Sequence, residues 1–437
     1  MLLLVACGGG GGGGSGGSGA GGGSLGGVEP TPPIETQRSV LFIAIDDLRV
    51  DGRAITPALD ALAAQSTVYS NAYTTALWCL PARTSVMFGL SPATHRVGLA
   101  NELPDYDAPP FTDIYDNPEL QALPELFAAA GHTTGVAGKV FHEPQPSRWD
   151  VNGPPIPWSD FYDPLDDAGD GTYLHNAPLP EGEAHPDEAI AEWGVQFINN
   201  QSGPFFLAIG FFQPHLPWIA PQWAYDLYPD ITAHEPEPGD LDDESELARE
   251  YAALPLWLGN RQYQLVEDAG NALELTRGYL AAISHTDAMV GRLLDALAAS
   301  PHAASTDIVV WSDHGFHLGE KFHWRKRTYW QPTVQVPLII RAARLAPGTV
   351  GDAVSLLDLG PTVLDLAGLP AAAQFEGVSL RVGRSAVEVY DRNGRALISN
   401  GSKEVDYDID LPGDTDRARY DLDEDPGELR NLVSLPP

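Results

Sequence analysis

The sequence predicts an α/β fold: a large, mostly parallel sheet sandwiched by helices, followed by a small antiparallel α+β subdomain. Three observations predict it. Apolar runs of strand length stop abruptly on charged residues, in "VLFIAIDD" from Val40, "TTGVAGKVFH" from Thr133, "PFFLAIGFFQPH" from Pro204 and "DIVVWSDHG" from Asp307. Helical periodicities lie between those runs. After Leu380 the texture changes to short alternating segments divided by turn residues.

A continuous apolar run suits a parallel strand covered on both faces, which is why the four runs do not alternate with polar residues. Thr56-Pro57 predicts a helix start ahead of "ALDALAAQ", with Thr56 as the cap and proline at the first helical position. "LPELFAAAG" predicts a helix from Leu123 closed by Gly131. Apolar residues at helical spacing run from Tyr279 to Leu297. Two stretches lack such order: the Pro-, Asp- and Gly-rich residues 146–186, and the acidic "EPEPGDLDDESELARE" that follows His234. Loops this long form lids or binding walls, or else plain solvated surface. In the tail, Asn393-Gly394 and Pro412-Gly413 predict turns between antiparallel strands. The division that follows is 1–7, 8–37, 38–380 for the main α/β domain and 381–437 for the small subdomain.

Of the 437 residues, 43% are hydrophobic, enough for one large core. Twenty-five basic residues against 60 acidic ones give a formal charge of −35, which excludes nucleic acid as a partner because phosphate binding needs a basic face. No apolar run has the length of a membrane span. There are 2 cysteines. Cys7 sits in a Gly/Ser-rich tail and Cys79 within a structured pattern, so a disulfide between them is not expected. "LVAC" at Leu4 to Cys7 resembles the lipobox of bacterial lipoproteins, which implies export and a lipid on Cys7 at the cell envelope, with residues 8–37 as a flexible tether. The stretch ahead of Cys7 is shorter than a full signal peptide and carries no basic residue, so either the true start lies upstream or the match is accidental.

In open α/β sheets, ligands bind outside the carboxyl ends of the strands. The four runs deliver Asp46 and Asp47, Lys139 and His142, His215, and Asp313 with His314 to that one edge. Adjacent carboxylates at the end of an apolar strand are costly unless positive charge sits between them. Cys79, Pro81 and Arg83 then supply a thiol with an arginine one helical turn beyond it, Pro81 being placed near the first helical position.

"CLPAR" matches the Cys-x-Pro-x-Arg signature of sulfatases, and "VLFIAIDDLRVDG", "GKVFH", "PFFLAIGFFQPHLPW", "WSDHGFHLGEKFHWRKRTYWQPTVQVPLII", "LLDLGPTVLDLAGLP", "FEGVSL" and "YDLDEDPGELRNL" resemble sulfatase segments in family order. The chain thus resembles the sulfatase family of the alkaline phosphatase-like superfamily over roughly residues 38–437, closest to its iduronate-2-sulfatase-like branch. The resemblance implies hydrolysis of sulfate esters on a sulfated carbohydrate, with Cys79 converted to formylglycine by a formylglycine-generating enzyme. One hydroxyl of the hydrated aldehyde would attack sulfur and the other would release sulfate, a covalent route with a built-in exit. It also implies a divalent cation, Ca²⁺ with Mg²⁺ as the alternative, on Asp46, Asp47, Cys79, Asp313 and His314, the last standing where asparagine is frequent in the family. Arg83 would face the nucleophile, Lys139 and Lys326 would neutralise sulfate oxygens, His142 would take a proton, and His215 would protonate the leaving oxygen. Lys321 is the nearest rival to Lys326. His95 and His317 read as structural, while a place on the substrate rim stays open for His323. Trp149, Trp158, Trp218 and Trp223 offer stacking surfaces if they are not core.

The chain departs from close relatives at Phe212-Gln213, Gln331 and Gln335, where they tend to carry His-Lys, a glutamate and a basic residue; this leaves leaving-group specificity open. Two rivals stand beside the main reading. A phosphonate monoester or phosphodiester hydrolase would share the nucleophile and metal site, though paired lysines favour sulfate. A surface-tethered glycan-binding protein would have no use for the nucleophile.

Overall fold

Every residue of the strands Ser39–Ile45, Phe205–Phe211 and Thr306–Ser312 is buried, because each lies inside a sheet covered on both faces. In the computed structural model, which describes residues 37–433 apart from 100–104, 157–173, 175, 254–261, 393, 400 and 409–415, these strands and Thr133–Gly138 are parallel neighbours. Their spatial order is Thr306–Ser312, Ser39–Ile45, Phe205–Phe211, Thr133–Gly138. The four predicted runs are therefore the centre of an 8-stranded sheet. Parallelism fails in one place: Leu338–Arg341 runs antiparallel to both Thr306–Ser312 and Thr67–Tyr69. The chain reaches it from Ser312 without the long helical crossover that a parallel return requires.

Alternate residues of the central strand feed two cores. Leu41, Ile43 and Ile45 face the long helix Ala272–Ala299, while Val40, Phe42 and Ala44 face the helices Cys79–Phe88 and Leu359–Ala367. Each of these side chains except the small Ala44 contributes about 1.5–3 kcal/mol by leaving water. The long helix starts seven residues ahead of the predicted Tyr279 because Leu275 is also buried against the sheet. Pro57–Ala63 is helical as predicted, yet the Thr56 side chain does not cap it. Asp287 of the long helix does so from across the layer, accepting from Ala58 N at 3.0 Å and Leu59 N at 2.8 Å.

The segment 146–186 is not uniformly irregular. Val151–Asn152 adds an edge strand, Asn176–Pro178 pairs with Trp218–Ala220, and a helix begins at Pro186. Nor is the acidic stretch plain solvated surface. Glu246–Ala253 is helical, and Asp240 and Glu244 are buried, Asp240 against Lys321 Nζ at 2.6 Å and Glu244 under the Tyr420 hydroxyl at 2.5 Å. The tail forms a four-stranded antiparallel sheet, Val387–Asp391, Gly394–Ser399, Ser402–Asp406 and Arg417–Asp421, in sequential order. Gly394 opens its strand opposite Asp391; Asn393 and Pro412-Gly413 lie outside the described residues, as do Cys7, residues 8–36 and Trp158. The inward residues of this sheet share a core with Tyr329, Trp330 and Val334 of the loop that leads from the catalytic edge. Among the described residues, no helix is long and apolar enough to cross a membrane.

Candidate active site

Asp46 follows the central strand directly, its N–H still bonded to Phe211 O at 3.2 Å. Asp47 then turns the chain with φ 61°, a conformation that costs a non-glycine residue about 1 kcal/mol or more. Neighbouring elements hold it there. Asp47 N donates to Asp313 Oδ1 at 3.2 Å, Leu48 N to Ser312 Oγ at 2.9 Å, and the Tyr279 hydroxyl to Asp47 O at 2.7 Å. Both carboxylates thereby point past the strand ends.

Cys79 is the first residue of the helix Cys79–Phe88, all of which is buried. Proline falls at the third helical residue, not the first, but still within the turn whose N–H groups have no helical partner. Arg83, four residues on, lies on the same face. Its guanidinium is completely buried and every bond goes to protein: Nε to Asp313 Oδ2 at 2.7 Å, Nη2 to Asp46 Oδ1 at 3.0 Å, and Nη1 to the Lys139 and Val140 carbonyls. A buried guanidinium must spend its donors, and two carboxylates at fixed positions take them. Arg83 thus spends its hydrogen bonds on the carboxylates and carbonyls, while lying close enough to Cys79 for the two to act on each other electrostatically.

Lys139 reaches Asp46 Oδ2 because Gly138 and Gly210 let two backbones cross. Gly138 has φ 72°, and a Cβ on Gly210 would stand 2.0 Å from Lys139 O. Lys326 places Nζ 2.7 Å from Asp47 Oδ1 and 3.1 Å from Cys79 Sγ. Lys321, its rival, is turned away onto Asp240 and over the Trp330 ring. His314 completes the surround of the thiol, with Nε2 3.2 Å from Sγ and 3.4 Å from Asp47 Oδ1. Its Nδ1 lies 3.0 Å from Gly315 O, so Nδ1 carries the proton and Nε2 offers a lone pair to the site.

Electrostatics follow from this packing. Burial alone would raise the Asp46 carboxyl, but Lys139 and Arg83 hold it well below the usual range. Burial raises the Asp47 carboxyl too, but Lys326 outweighs it and the group is lowered. Burial, assisted by Asp46, pushes the Cys79 thiol up to about 12, so the site does not prepare a thiolate. Burial also pushes His215 down to about 3 and keeps it neutral; its Nδ1 bonds to Leu216 O at 2.8 Å while Nε2 stands 4.0 Å from Asp47 Oδ2.

Asp47 Oδ2 is buried and has no hydrogen-bond partner among the described residues. Asp46, Asp47, Cys79 and His215 bring ligand atoms within 4.8 Å of one another, as do Cys79, Asp313 and His314. Three carboxylates here face three cationic side chains, which leaves no net charge to attract an anion. A divalent cation would use the orphaned oxygen and the His314 lone pair and make the site positive, so the residues fit one.

The sulfatase family model matches residues 38–369. The chain belongs to the sulfatase family. It is 32% identical to a sulfatase of Formosa agariphila over 428 residues, covering 90% of this chain and 82% of that protein. It is 28% identical to human iduronate 2-sulfatase over 442 residues, covering 86% and 76%. The phosphonate monoester hydrolase of Agrobacterium radiobacter has the same fold, with a TM-score of 0.68 at 19% identity over 90% of this chain and 91% of that one.

In this sulfatase, Asp46, Asp47, Cys79, Arg83, Lys139, Asp313, His314 and Lys326 form one contiguous cluster, with His215 at its edge. His142 lies within electrostatic reach of Lys139 and Asp46, its Nδ1 facing the Tyr106 hydroxyl and Glu143, both at 3.3 Å. His95 and His317 are structural, tied to Ser85 and Thr328. His323 is buried and grips the Lys326 carbonyl at 2.9 Å, so it supports the site instead of lining its rim. Gln213, Gln331 and Gln335 bond to Ile219 O, Tyr73 and Ser70 O, away from the cluster. Sequence reasoning missed Thr74, Tyr279 and Ser312, which fix the backbone at Asp313, at Asp47, and at Leu48 and His314 respectively. Only their spatial neighbours mark them out, since hydroxyl residues are common everywhere.

Proposed function

We propose that this sulfatase hydrolyses sulfate esters of a carbohydrate through a formylglycine made from Cys79, with a divalent cation at Asp46, Asp47, Asp313 and His314. One observation carries the reading: Cys79 Sγ, at a helix start beside three carboxylates, lies 3.1 Å from Lys326 Nζ and 3.2 Å from His314 Nε2. A neutral thiol in that position suits a precursor awaiting oxidation better than a nucleophile. Once formed, the hydrated aldehyde supplies one hydroxyl to attack sulfur and another to release the product. Held by Asp46, Asp47, Asp313 and His314, a cation would supply charge to stabilise the sulfate oxygens.

The chain's own residues do the rest. Arg83 fixes Asp46 and Asp313 as a rigid pair. Lys326, already on the reacting position, neutralises the oxygen charge that grows as the ester bond to sulfur breaks. His215 borders Asp47 and, charged only when the approaching anion offsets its burial, hands its proton to the departing alcohol. His142, held by Tyr106 and Glu143, is oriented to accept a proton. The carbohydrate substrate rests on the sequence resemblance and on the name of the human relative.

The test is mass spectrometry of residue 79 in protein made with and without a formylglycine-generating enzyme, alongside turnover of 4-nitrophenyl sulfate and of phenyl 4-nitrophenylphosphonate. The expected result is conversion to the aldehyde with preference for sulfate. Preference for the phosphonate would replace the reading with a phosphonate hydrolase, and glycan binding without turnover in fully converted protein would replace it with a binding protein. Export and a lipid on Cys7 rest on "LVAC" alone, and palmitate labelling in a bacterial host tests them.

A further inference from the structure

Trp149 and Trp218 are core residues, but Trp223 is 46% exposed. Its ring borders a cavity of about 630 Å³ that none of the catalytic cluster lines, walled also by His285, Glu188, Glu181, Glu183 and Arg292. The cavity contains a buried polar atom that the described protein leaves unanswered. His285 is 1% exposed, and its Nε2 has no hydrogen-bond partner among the described residues.

The tautomer follows from the neighbours. The Gln213 amide nitrogen donates to Ile219 O, so its oxygen is the atom facing His285 Nδ1, at 3.2 Å. Nδ1 therefore carries the proton and Nε2 is a bare acceptor. Glu188 Oε1, 3.8 Å away, is itself an acceptor and cannot satisfy it. A ligand that answers this site brings a hydroxyl donor to His285 and a flat apolar face to Trp223. It also carries no negative charge, because Glu181, Glu183 and Glu188 outnumber Arg292. A sugar ring has that combination, with C–H groups on one face and hydroxyls at its edge.

We propose that this cavity is a subsite for an uncharged sugar residue, stacked on Trp223 and donating a hydroxyl to His285 Nε2. The inference rests on the carbohydrate reading above, and it places an unsulfated unit of the same glycan here. Cavity and catalytic edge share one segment. The Asp187 carboxylate, beside Glu188, accepts from Phe212 N and Gln213 N at 3.0 Å each, and Gln213 lies two residues before His215. A ligand held at His285 thus sits one hydrogen bond from Gln213, the residue that leads into the His215 segment.

The test is affinity electrophoresis of the full chain in native gels containing galactomannan, arabinoxylan, laminarin or low-melting agarose, for wild type, Trp223→Ala and Trp223→Phe. Turnover of 4-nitrophenyl sulfate is measured on the same samples. The expected result is retardation of wild type by at least one neutral polysaccharide. Its apparent affinity falls about tenfold in Trp223→Ala and is largely kept in Trp223→Phe, while aryl sulfate turnover is unchanged. Retardation by none of the four, or retardation that Trp223→Ala leaves unaltered, overturns the subsite. Loss of aryl sulfate turnover in wild type would count against the sulfatase chemistry and not against this cavity.

Discussion

Two buried ionic clusters lie on either side of the loop that carries Lys326, and they are built for opposite ends. On the catalytic side, Arg83, Lys139 and Lys326 meet Asp46, Asp47 and Asp313, yet Asp47 Oδ2 is left without a partner and Cys79 is ringed by groups able to meet an anion. On the far side, Lys403 pairs with Glu428, whose Oε2 also accepts from Gln331 N at 2.7 Å, and Lys321 joins Asp240 to the Glu428 carbonyl. Tyr420 and Asn431 close that cluster over Glu244. Burying charge is costly in both, and hydrogen bonds offset it in both. The difference is what remains open: the far cluster ties the C-terminal sheet to the Lys326 loop, whereas the near cluster keeps ligand atoms in reserve.

The sharpest way to break the comparison is at Cys79. Cys79→Ala removes the reacting atom and no ion pair, so turnover of 4-nitrophenyl sulfate is expected to fall by at least on the order of 10³-fold, with the melting temperature little changed. Full activity in that variant would end the proposed chemistry. Asp313→Asn strikes the ion pairs themselves, since Arg83 Nε loses its charged partner inside the core. A loss of about 3–5 kcal/mol in urea unfolding is expected together with loss of activity, and removal of metal by EDTA should lower the wild-type melting temperature while leaving Asp313→Asn nearly unmoved.

Lys403→Met tests the far cluster by leaving Glu428 unpaired. It should destabilise by about 3 kcal/mol but leave the KM for 4-nitrophenyl sulfate near wild type. A kcat loss matching Cys79→Ala would show that the two clusters are one functional unit. The smallest effect is expected at Glu320, on the same loop. Burial would raise this carboxyl, but Arg49 at 2.8 Å holds it down at about 2. Its contribution is present above the ordinary value near 4.5 and is lost as pH falls towards 2. The stability difference between wild type and Glu320→Gln should therefore shrink by about 2 kcal/mol between pH 6 and pH 3; a constant difference would remove Glu320 from the electrostatic account.

Much of the near cluster was legible because strands that end in charge announce themselves. Asp46 and Asp313 follow apolar runs directly, His215 comes three residues after Phe212, and the sheet order brings those runs side by side. The far cluster was not legible. Asp240, Glu244 and Glu428 sit in acidic, proline-rich text that composition alone assigns to solvent, and their burial depends on distant partners: Lys321, 81 residues from Asp240, Tyr420, 176 residues from Glu244, and Lys403, which pairs with Glu428. Arg83 shows the same limit at a single residue. Its spacing from Cys79 was visible, but two carboxylates from other strands claim its donors.

The sequence by itself determined the strand and helix alternation, the antiparallel tail and the sheet edge at which the charged residues gather. These are local properties of periodicity, chain direction and residue spacing. Tertiary structure alone decided that Lys326 and not Lys321 meets Cys79, that Asp287 caps a helix from across the layer, and that Trp223 is the exposed tryptophan beside an unanswered histidine. Each of those depends on which buried groups find partners, and partners far apart in sequence meet only once the whole sheet has closed.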